Sequence, residues 1–268
     1  MKYCSVNGVE QTSIDITDRG LAYGDGLFTT AKILDGQVIL LDKHIQRLSL
    51  GCKQLRLDTR LLNGLDNQLQ SVAKLFTRAV LKVMITTGSG GRGYSRLGLN
   101  ANDANIIIII SDYPTHYEAL AVQGIVLGDS KQKIGLTPML AGLKHLNRLE
   151  QVLLRAELDE RGEDDLVVIN CQDQVVEATC ANLFYFKEGQ LCTPDLSLSG
   201  VNGIIRQEIL SQYPQTRLCQ TNLADLGQAD EIFICNSLMG IMPIKTYNNR
   251  LLAINEILLI QEQMKGLI

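Results

Sequence analysis

Two dipeptides, Asn7-Gly8 and Asp35-Gly36, constrain the fold of this chain more than any other feature of its sequence. Each stands between two strand-like runs, which cover residues 2–6, 9–11, 27–34 and 37–41. Such dipeptides readily adopt the positive φ angles of a type I′ turn, which joins adjacent antiparallel strands. The pattern therefore predicts hairpins near the N-terminus, and it argues against a doubly wound parallel sheet.

The remaining sequence predicts a mixture of helices and strands. A helix capped by Asp42 carries apolar residues at helical spacing, namely Ile45, Leu48 and Leu55. Further helices are expected at about 64–78, 147–161, 203–213, 222–227 and 253–265. Further strands are expected at about 80–87, 104–111, 123–128, 165–171, 174–179, 182–187, 190–193, 216–220, 231–235 and 241–246. The predicted class is mixed α+β.

A turn-rich stretch, SDYPT (111–115), interrupts the pattern and suggests a boundary between two domains. We expect a small N-terminal α/β domain at 1–113, a linker at 114–120 and a larger C-terminal domain at 121–268. A chain of 268 residues is long enough for two hydrophobic cores. In the helix at 147–161, Gly162 is the expected stop, and the apolar residues at helical spacing are Leu149, Val152, Leu153 and Ala156.

Composition excludes several classes of protein. The net charge of −4 argues against nucleic-acid binding, which needs a basic face. The chain has an odd number of scattered cysteines, seven, with no C-x-x-C pair, so we expect reduced thiols in a cytoplasmic protein and no zinc site. The start lacks the apolar core of a signal peptide. The isoleucine run at 106–110 is too short to span a membrane and predicts a buried strand.

Lys144 is the strongest candidate for chemistry. It lies among small and apolar residues in AGLKHLNRLE (141–150), and burial of an ammonium group lowers its pKa. A lysine in such a place can act as a neutral amine nucleophile, although a solvated lysine before a helix is the ordinary alternative. Glu177 follows 33 residues later (177 − 144) on a predicted strand. A buried glutamate needs a partner, either a pyridinium N–H or an arginine.

Several segments could bind an anion. GVNGIIR (200–206) predicts a turn that enters a helix, and FICNSLMG (233–240) predicts a strand that enters a polar turn. Arg47 in HIQRL (44–48) is either a surface arginine or a phosphate ligand. None of these signals is specific alone, because every helix has an N-terminus with free amides.

The stretch GSGGRG (88–93) matches the dinucleotide-binding pattern G-x-G-x-x-G. We reject that function, because the glycines are not followed directly by a helix. The stretch is either a flexible connection or a mobile loop that presents Arg92, Tyr94 and Arg96 to an anionic ligand. We expect no catalytic role for His116 or His145. No cluster of residues has the spacing of a metal site.

Together these segments resemble the class IV aminotransferase family of pyridoxal-phosphate enzymes. The resemblance covers nearly the whole chain and rests on DRG (18–20), YGDGLF (23–28), HIQRL (44–48), Lys144, EATCANLF (177–184) and residues 203–206. It implies fold type IV, with a small N-terminal α/β domain and a larger barrel-like C-terminal domain. It also implies a homodimer that uses pyridoxal 5′-phosphate on a small-molecule substrate.

The resemblance assigns roles to individual residues. Lys144 would carry the cofactor covalently, and Glu177 would bind the pyridine nitrogen. The phosphate ligands would be Arg47, the amides of Ile204 and Ile205, and Ser237. Candidates for binding substrate are Arg92, Tyr94, Asn147 and Arg148. A non-catalytic relative would be expected to lack Lys144, Glu177 or Arg47, and all three are present.

Two departures from the family pattern bear on the reaction. D-amino-acid aminotransferases carry an R-x-H element on the loop after this strand, and here the loop reads Arg92-Gly93-Tyr94. Branched-chain aminotransferases carry a tyrosine shortly after the lysine, and here HLNRL (145–149) follows. Both absences argue against ordinary transamination of D- or branched-chain amino acids, which stays the alternative function.

Overall fold

The computed structural model describes residues 1–90 and 92–267. It divides into two compact units. The first contains Met1–Pro114 together with the short segment Lys144–Asn147, and the second contains Thr115–Leu143 and Arg148–Ile268. The segment Lys144–Asn147, called the Lys144 segment below, is therefore part of the first unit although it lies far beyond Pro114 in the sequence.

A six-stranded antiparallel sheet forms the first unit, with the strand order β2-β1-β6-β5-β3-β4. Its strands are β1 Tyr3–Val6, β2 Val9–Glu10, β3 Gly26–Leu34, β4 Gln37–Val38, β5 Arg78–Thr86 and β6 Asn105–Ser111. Both predicted hairpins are confirmed. Their turn residues have positive φ angles, which are 51° at Asn7, 82° at Gly8, 48° at Asp35 and 75° at Gly36.

Three α-helices belong to the described part of this unit, namely α1 Arg19–Tyr23, α2 Leu41–Gln54 and α3 Leu65–Ala73. Short 3₁₀ turns lie at Thr59–Leu62 and Ala101–Asp103. The prediction that Asp42 caps α2 is wrong: the cap is Leu40, with φ 55°, and Asp42 lies in the first turn. There its negatively charged carboxylate interacts favourably with the positive end of the helix dipole. Helix α1, which has only five residues, was not predicted from the sequence.

The two faces of this sheet have different environments. Alternate residues of β3 point into the core, where Leu27, Ala31 and Ile33 pack with residues of α2 and α3 such as Leu48 and Leu69. Each fully buried leucine stabilises the fold by about 1.5–3 kcal/mol. The opposite face is only half-buried, and it includes Phe28, Thr30, Lys82 and Met84.

A nine-stranded mixed sheet forms the second unit, with the order β12-β11-β10-β13-β14-β7-β8-β9 and β15 paired to β14. Its strands are β7 Ile125–Ile134, β8 Asp165–Asn170, β9 Val175–Ala178, β10 Asn182–Lys187, β11 Gln190–Pro194, β12 Arg217–Cys219, β13 Glu231–Asn236, β14 Gly240–Tyr247 and β15 Arg250–Leu251. Strand β9 also contacts β10 and β11, so the sheet curves back on itself and is barrel-like.

The helices of the second unit are α4 Tyr117–Gln123, α5 Leu149–Asp159, α6 Ile204–Gln212, α7 Leu223–Leu226 and α8 Asn255–Met264. Helix α4 was not predicted. In α5 the buried residues are Leu154 and Leu158, whereas the apolar residues singled out from the sequence, Leu149, Val152, Leu153 and Ala156, are exposed. Among the described residues, no helix is both long and apolar enough to cross a membrane.

Candidate functional site

The Lys144 segment continues the sheet of the first unit beside the start of β3. The Phe28 amide donates to the Lys144 carbonyl at 2.9 Å, and the Leu146 amide donates to the Gly26 carbonyl at 3.0 Å. His145 lies opposite Leu27 in this pairing. The half-buried Lys144 side chain places Nζ 4.6 Å from the centre of the Phe28 ring. A second amine, Lys82 Nζ, is 5.1 Å from the same ring, so Phe28 is a cation–π partner for both.

Asn147 fixes the far end of the Lys144 segment. Its Nδ2 donates to the Gly24 carbonyl at 3.1 Å. Gly24 has φ 62°, and a Cβ at this position would lie 2.4 Å from Asn147 Oδ1. The sequence YGDGLF thus needs glycine at residue 24 for two reasons, backbone conformation and close approach. The structure places Asn147, a predicted substrate ligand, in a backbone contact.

Helix α2 contributes a buried histidine and a cation. His44 Nδ1 lies 2.6 Å from Thr29 Oγ1. Burial, with a smaller contribution from nearby Arg47, lowers the pKa of His44 to about 3, so the ring is neutral at physiological pH. Burial also lowers the pKa of Arg47 to about 10, and the guanidinium therefore stays charged. Arg47 is thus a fixed positive charge, which suits its predicted role as a phosphate ligand.

The loop after β5 separates the three residues that one of its two interpretations presented to an anionic ligand. Arg92 and Tyr94 are exposed. Arg96 instead forms an ion pair with Asp25 and donates to the Leu55 carbonyl. Gly91, within the predicted loop GSGGRG, lies outside the described residues.

Glu177 is a buried carboxylate on β9 of the second unit, with 6% of its surface exposed. Its Oε2 accepts the Val201 amide at 2.9 Å. Burial lowers the pKa values of Arg148 and Arg206, and attraction to Glu177 partly offsets this effect in both. Arg206 itself donates to the Asn202 side chain and to the Pro194 carbonyl, each at 3.0 Å. Both guanidinium groups therefore attract the Glu177 carboxylate.

Asn182, which the sequence pattern does not distinguish, holds the loop before α6 in place and is called the Asn182 clamp below. Its Oδ1 accepts the Gly203 amide at 3.0 Å, and its Nδ2 donates to the Val201 carbonyl at 2.7 Å. Helix α6 then begins at Ile204, and its first amides have no carbonyl partner within the helix. These amides and the helix dipole form a site suited to an anion. The sequence contained one indication of this role, because Asn182 is a polar residue at the start of a predicted strand. The structure shows that the side chain is buried.

Gly203 must be a glycine for steric reasons, which gives a test of the clamp. A Cβ at Gly203 would lie 2.0 Å from Asn182 Oδ1, although φ there is an ordinary −64°. We expect Gly203→Ala to lower the free energy of unfolding by about 1–3 kcal/mol through overpacking. Asn182→Ala should also destabilise, because two backbone groups lose a partner, at about 1–3 kcal/mol for a buried group.

The double variant should lose less free energy of unfolding than the sum of the two single variants, with a coupling of about 0.5–3 kcal/mol. The reason is that removal of the Asn182 side-chain amide also removes the clash with the new Cβ at residue 203. Urea unfolding of the four proteins measures this coupling. Gly162→Ala is the matched control, since a Cβ there meets nothing within 4 Å. Additive effects of the two changes would contradict the proposed clamp.

Ser237 lies in the turn that joins β13 to β14. The preceding residue, Asn236, accepts the amides of Leu238 and Met239 on Oδ1 at 2.9 and 3.0 Å. Its Nδ2 donates to the Cys180 carbonyl at 3.2 Å. The half-buried Ser237 is thus carried by a turn whose geometry is fixed from both sides. Within residues 1–90 and 92–267, no three His, Cys, Asp or Glu side chains are grouped to hold a metal ion.

The family is established by comparison with known proteins. The model of the class IV amino-transferase family matches residues 26–247, so the chain belongs to this family. An aminodeoxychorismate lyase from Vibrio harveyi is 38% identical over 245 residues, which cover 89% of this chain and 89% of that protein. A putative branched-chain-amino-acid aminotransferase from Methanocaldococcus jannaschii is 27% identical and covers 91% of this chain and 85% of its own length.

A solved structure agrees with these sequence relationships. The crystal structure of 4-amino-4-deoxychorismate lyase from Pseudomonas aeruginosa has a TM-score of 0.91 and 34% identity, covering 99% of this chain and 100% of that one. The predicted family and fold class are therefore confirmed: the chain has the fold-type IV architecture of pyridoxal-phosphate enzymes.

Proposed function

We propose that this protein is a pyridoxal-phosphate-dependent lyase that converts 4-amino-4-deoxychorismate into 4-aminobenzoate and pyruvate. The observation that carries the proposal is the likeness to the lyases of Vibrio harveyi and Pseudomonas aeruginosa over most of the chain. Three segments resemble that enzyme in particular, namely GSGGRGYS (88–95), AGLKHLNRLEQ (141–151) and CNSLM (235–239). The product would supply folate synthesis.

The side chains of the first unit suit two parts of the cofactor. Lys144 offers an amine on the half-buried face of the sheet, 4.6 Å from the Phe28 ring, where an aldehyde can be bound covalently. Arg47 offers a charged guanidinium on α2 for the phosphate. We propose these roles for both residues.

The second unit offers four further groups of matching chemistry, one acceptor and three donors. We propose that Glu177 accepts a hydrogen bond from the protonated ring nitrogen, a charge-assisted bond to a carboxylate that Val201 orients. The amides of Ile204 and Ile205 head α6 behind the Asn182 clamp, and with Ser237 they would bind the phosphate. When bound, pyridoxal phosphate supplies an electron-withdrawing ring that stabilises negative charge on the carbon beside the substrate amine.

The chain would contribute proton transfer and orientation to the reaction. Lys144, as a neutral amine, would remove the proton from the amine-bearing carbon of the substrate. The bond between the ring and the enolpyruvyl oxygen would break, and the released enolpyruvate would take up a proton to become pyruvate. The substrate ring would become aromatic, which supplies driving force. Exposed Arg92 and Tyr94, together with Arg148, are proposed to bind the two substrate carboxylates.

The alternative is a class IV aminotransferase that acts on D- or branched-chain amino acids. The likeness to the putative Methanocaldococcus jannaschii aminotransferase supports it. Against it, the loop Arg92-Gly93-Tyr94 lacks the histidine of the D-amino-acid enzymes, and no tyrosine follows Lys144 closely.

Comparison of substrates tests the proposal. With aminodeoxychorismate, the purified protein should release equal amounts of pyruvate and 4-aminobenzoate, measured by coupled lactate dehydrogenase and by chromatography. With D-alanine, D-glutamate or L-leucine, conversion of the cofactor to its amine form, followed by absorbance, should be much slower. Rapid conversion with an amino acid and no pyruvate from aminodeoxychorismate would replace the lyase by the aminotransferase.

The assembly and location of the protein are also proposals. Membership in the family supports a homodimer, which sedimentation analysis can test. Seven cysteines without a disulfide support a reducing compartment, and we propose the cytoplasm. The proposed domains stay at 1–113 and 121–268 with a linker at 114–120. The unit boundary between Pro114 and Thr115 supports this division, whereas the Lys144 segment belongs to the first unit.

A further inference from the structure

One buried carboxylate in the first unit binds two arginines. Asp25 Oδ2 accepts from Arg19 Nε, Arg96 Nε and Thr87 Oγ1, each at 2.9 Å, and Oδ1 accepts from Arg96 Nη2. Arg19 and Asp25 have side-chain exposures of only 3% and 8%. Burial acts to raise the pKa of Asp25, but hydrogen bonds from Arg96, Arg19 and Thr87 outweigh it and hold the pKa below its ordinary value. These four residues form the Asp25 cluster.

The Asp25 cluster holds the loop after β5 in place. Arg19 Nη1 and Nη2 donate to the carbonyls of Gly93 and Tyr94 at 2.9 and 3.0 Å. The Arg19 guanidinium also lies 4.9 Å from the centre of the Tyr23 ring, and that ring meets Tyr94 edge to face at 5.4 Å. Tyr94 itself is 87% exposed. An exposed aromatic pair is therefore anchored from beneath by an arginine that Asp25 orients.

The same short stretch of backbone anchors the Lys144 segment. Asp25 lies between Gly24, whose carbonyl accepts from Asn147, and Gly26, whose carbonyl accepts from Leu146. The Asp25 backbone is fixed as well, because its carbonyl accepts the Thr87 amide at 3.1 Å and its amide donates to the Arg19 carbonyl at 3.2 Å. Movement of residue 25 would shift the loop through the Asp25 side chain. It would shift the Lys144 segment through the neighbouring residues Gly24 and Gly26.

We propose that Asp25 is a positioning residue that sets the loop at 92–97, with Tyr94 and Arg92, in register with the Lys144 segment. This inference rests on the proposed function, in which Lys144 transfers the proton and the loop binds the substrate. Asp25 is not assigned a catalytic role, because its carboxylate is occupied by Arg19, Arg96 and Thr87. Its contribution is to hold two elements in one geometry before substrate arrives, which lowers the ordering that binding would otherwise require.

The variant Asp25→Asn tests the proposal, because it keeps the size of the side chain and removes the charge that attracts both arginines. Asp58→Asn is the matched control in the same unit, since Asp58 pairs with Arg60, whose side chain is 80% exposed. Surface pairs of that kind contribute little. Hydrogen exchange of peptides covering 92–100 and 144–147 and steady-state kinetics with aminodeoxychorismate are measured for both variants. Arg96→Lys is a milder second variant, in case Asp25→Asn does not fold.

We expect faster exchange in both peptides of Asp25→Asn, and a KM raised by about tenfold to a hundredfold with a smaller change in kcat. Arg96→Lys should move the same quantities in the same direction by less, and Asp58→Asn should match the wild type. The proposal is overturned if a folded Asp25→Asn, or Arg96→Lys in its place, exchanges like the wild type. It is also overturned if exchange rises without any increase in KM, because the role would then be structural. Failure of the lyase proposal would give a different result. The wild-type protein would then show no lyase activity, while Asp25→Asn would still increase hydrogen exchange in both peptides.

Discussion

Replacement of Lys144 by alanine is expected to abolish covalent attachment of pyridoxal phosphate and to remove the lyase activity. Borohydride reduction followed by mass spectrometry should locate the cofactor on the peptide that contains residue 144 in the wild type, and nowhere in Lys144→Ala. Loss of the proton-transfer role alone should lower kcat by about 10²–10⁴-fold. The geometric basis is the half-buried amine that lies 4.6 Å from the Phe28 ring, on a segment hydrogen-bonded to β3.

Lys82→Ala is the matched control for this result. Lys82 Nζ lies 5.1 Å from the same ring, so its removal also takes a cation from Phe28. Lys82 lies on β5, whereas Lys144 belongs to the segment that resembles the family motif. The control should retain the covalent adduct and most of the activity. If the adduct were found on Lys82, or persisted in Lys144→Ala, the assignment of the reactive amine would be wrong.

Local features of the first unit could be predicted from the sequence because they depend on neighbouring residues. The turns at Asn7-Gly8 and Asp35-Gly36 need positive φ angles, and these residue types tolerate them. The start of α2 was missed by two residues, because Leu40 adopts a left-handed conformation that its residue type does not indicate. Helix α1 is too short to show a helical period.

Features of the candidate site that depend on distant residues could not be predicted. Nothing in the sequence pairs Asn182 with Gly203, and only the fold brings them to hydrogen-bond distance. The same holds for Arg96, which one of the two interpretations of the loop presented to a ligand and which instead binds Asp25, 71 positions away. The apolar residues Leu149 and Val152 of α5 were read as a face by spacing alone, but spacing does not say which face the fold buries.

Glu177→Gln is expected to have the second largest effect. Glutamine keeps an acceptor for the Val201 amide, which Glu177 Oε2 accepts at 2.9 Å, so the local backbone should stay in place. The change removes the negative charge that interacts with Arg148 and Arg206 and that would keep the ring nitrogen of the cofactor protonated. Loss of one such electrostatic contact should lower kcat by about 10²–10³-fold, with the cofactor still attached to Lys144.

A second buried glutamate separates this electrostatic effect from a general cost of altering the unit. Glu231 on β13 is 4% exposed, and its two oxygens accept the amides of Glu256 and Ile257 at the start of α8. Glu231→Gln should lower stability, because the carboxylate also favours the positive end of that helix. It should leave kcat and the absorbance of the bound cofactor unchanged. A Glu177→Gln enzyme with wild-type kcat and cofactor absorbance would show that the ring nitrogen has another partner, and the role proposed for Glu177 would then fail.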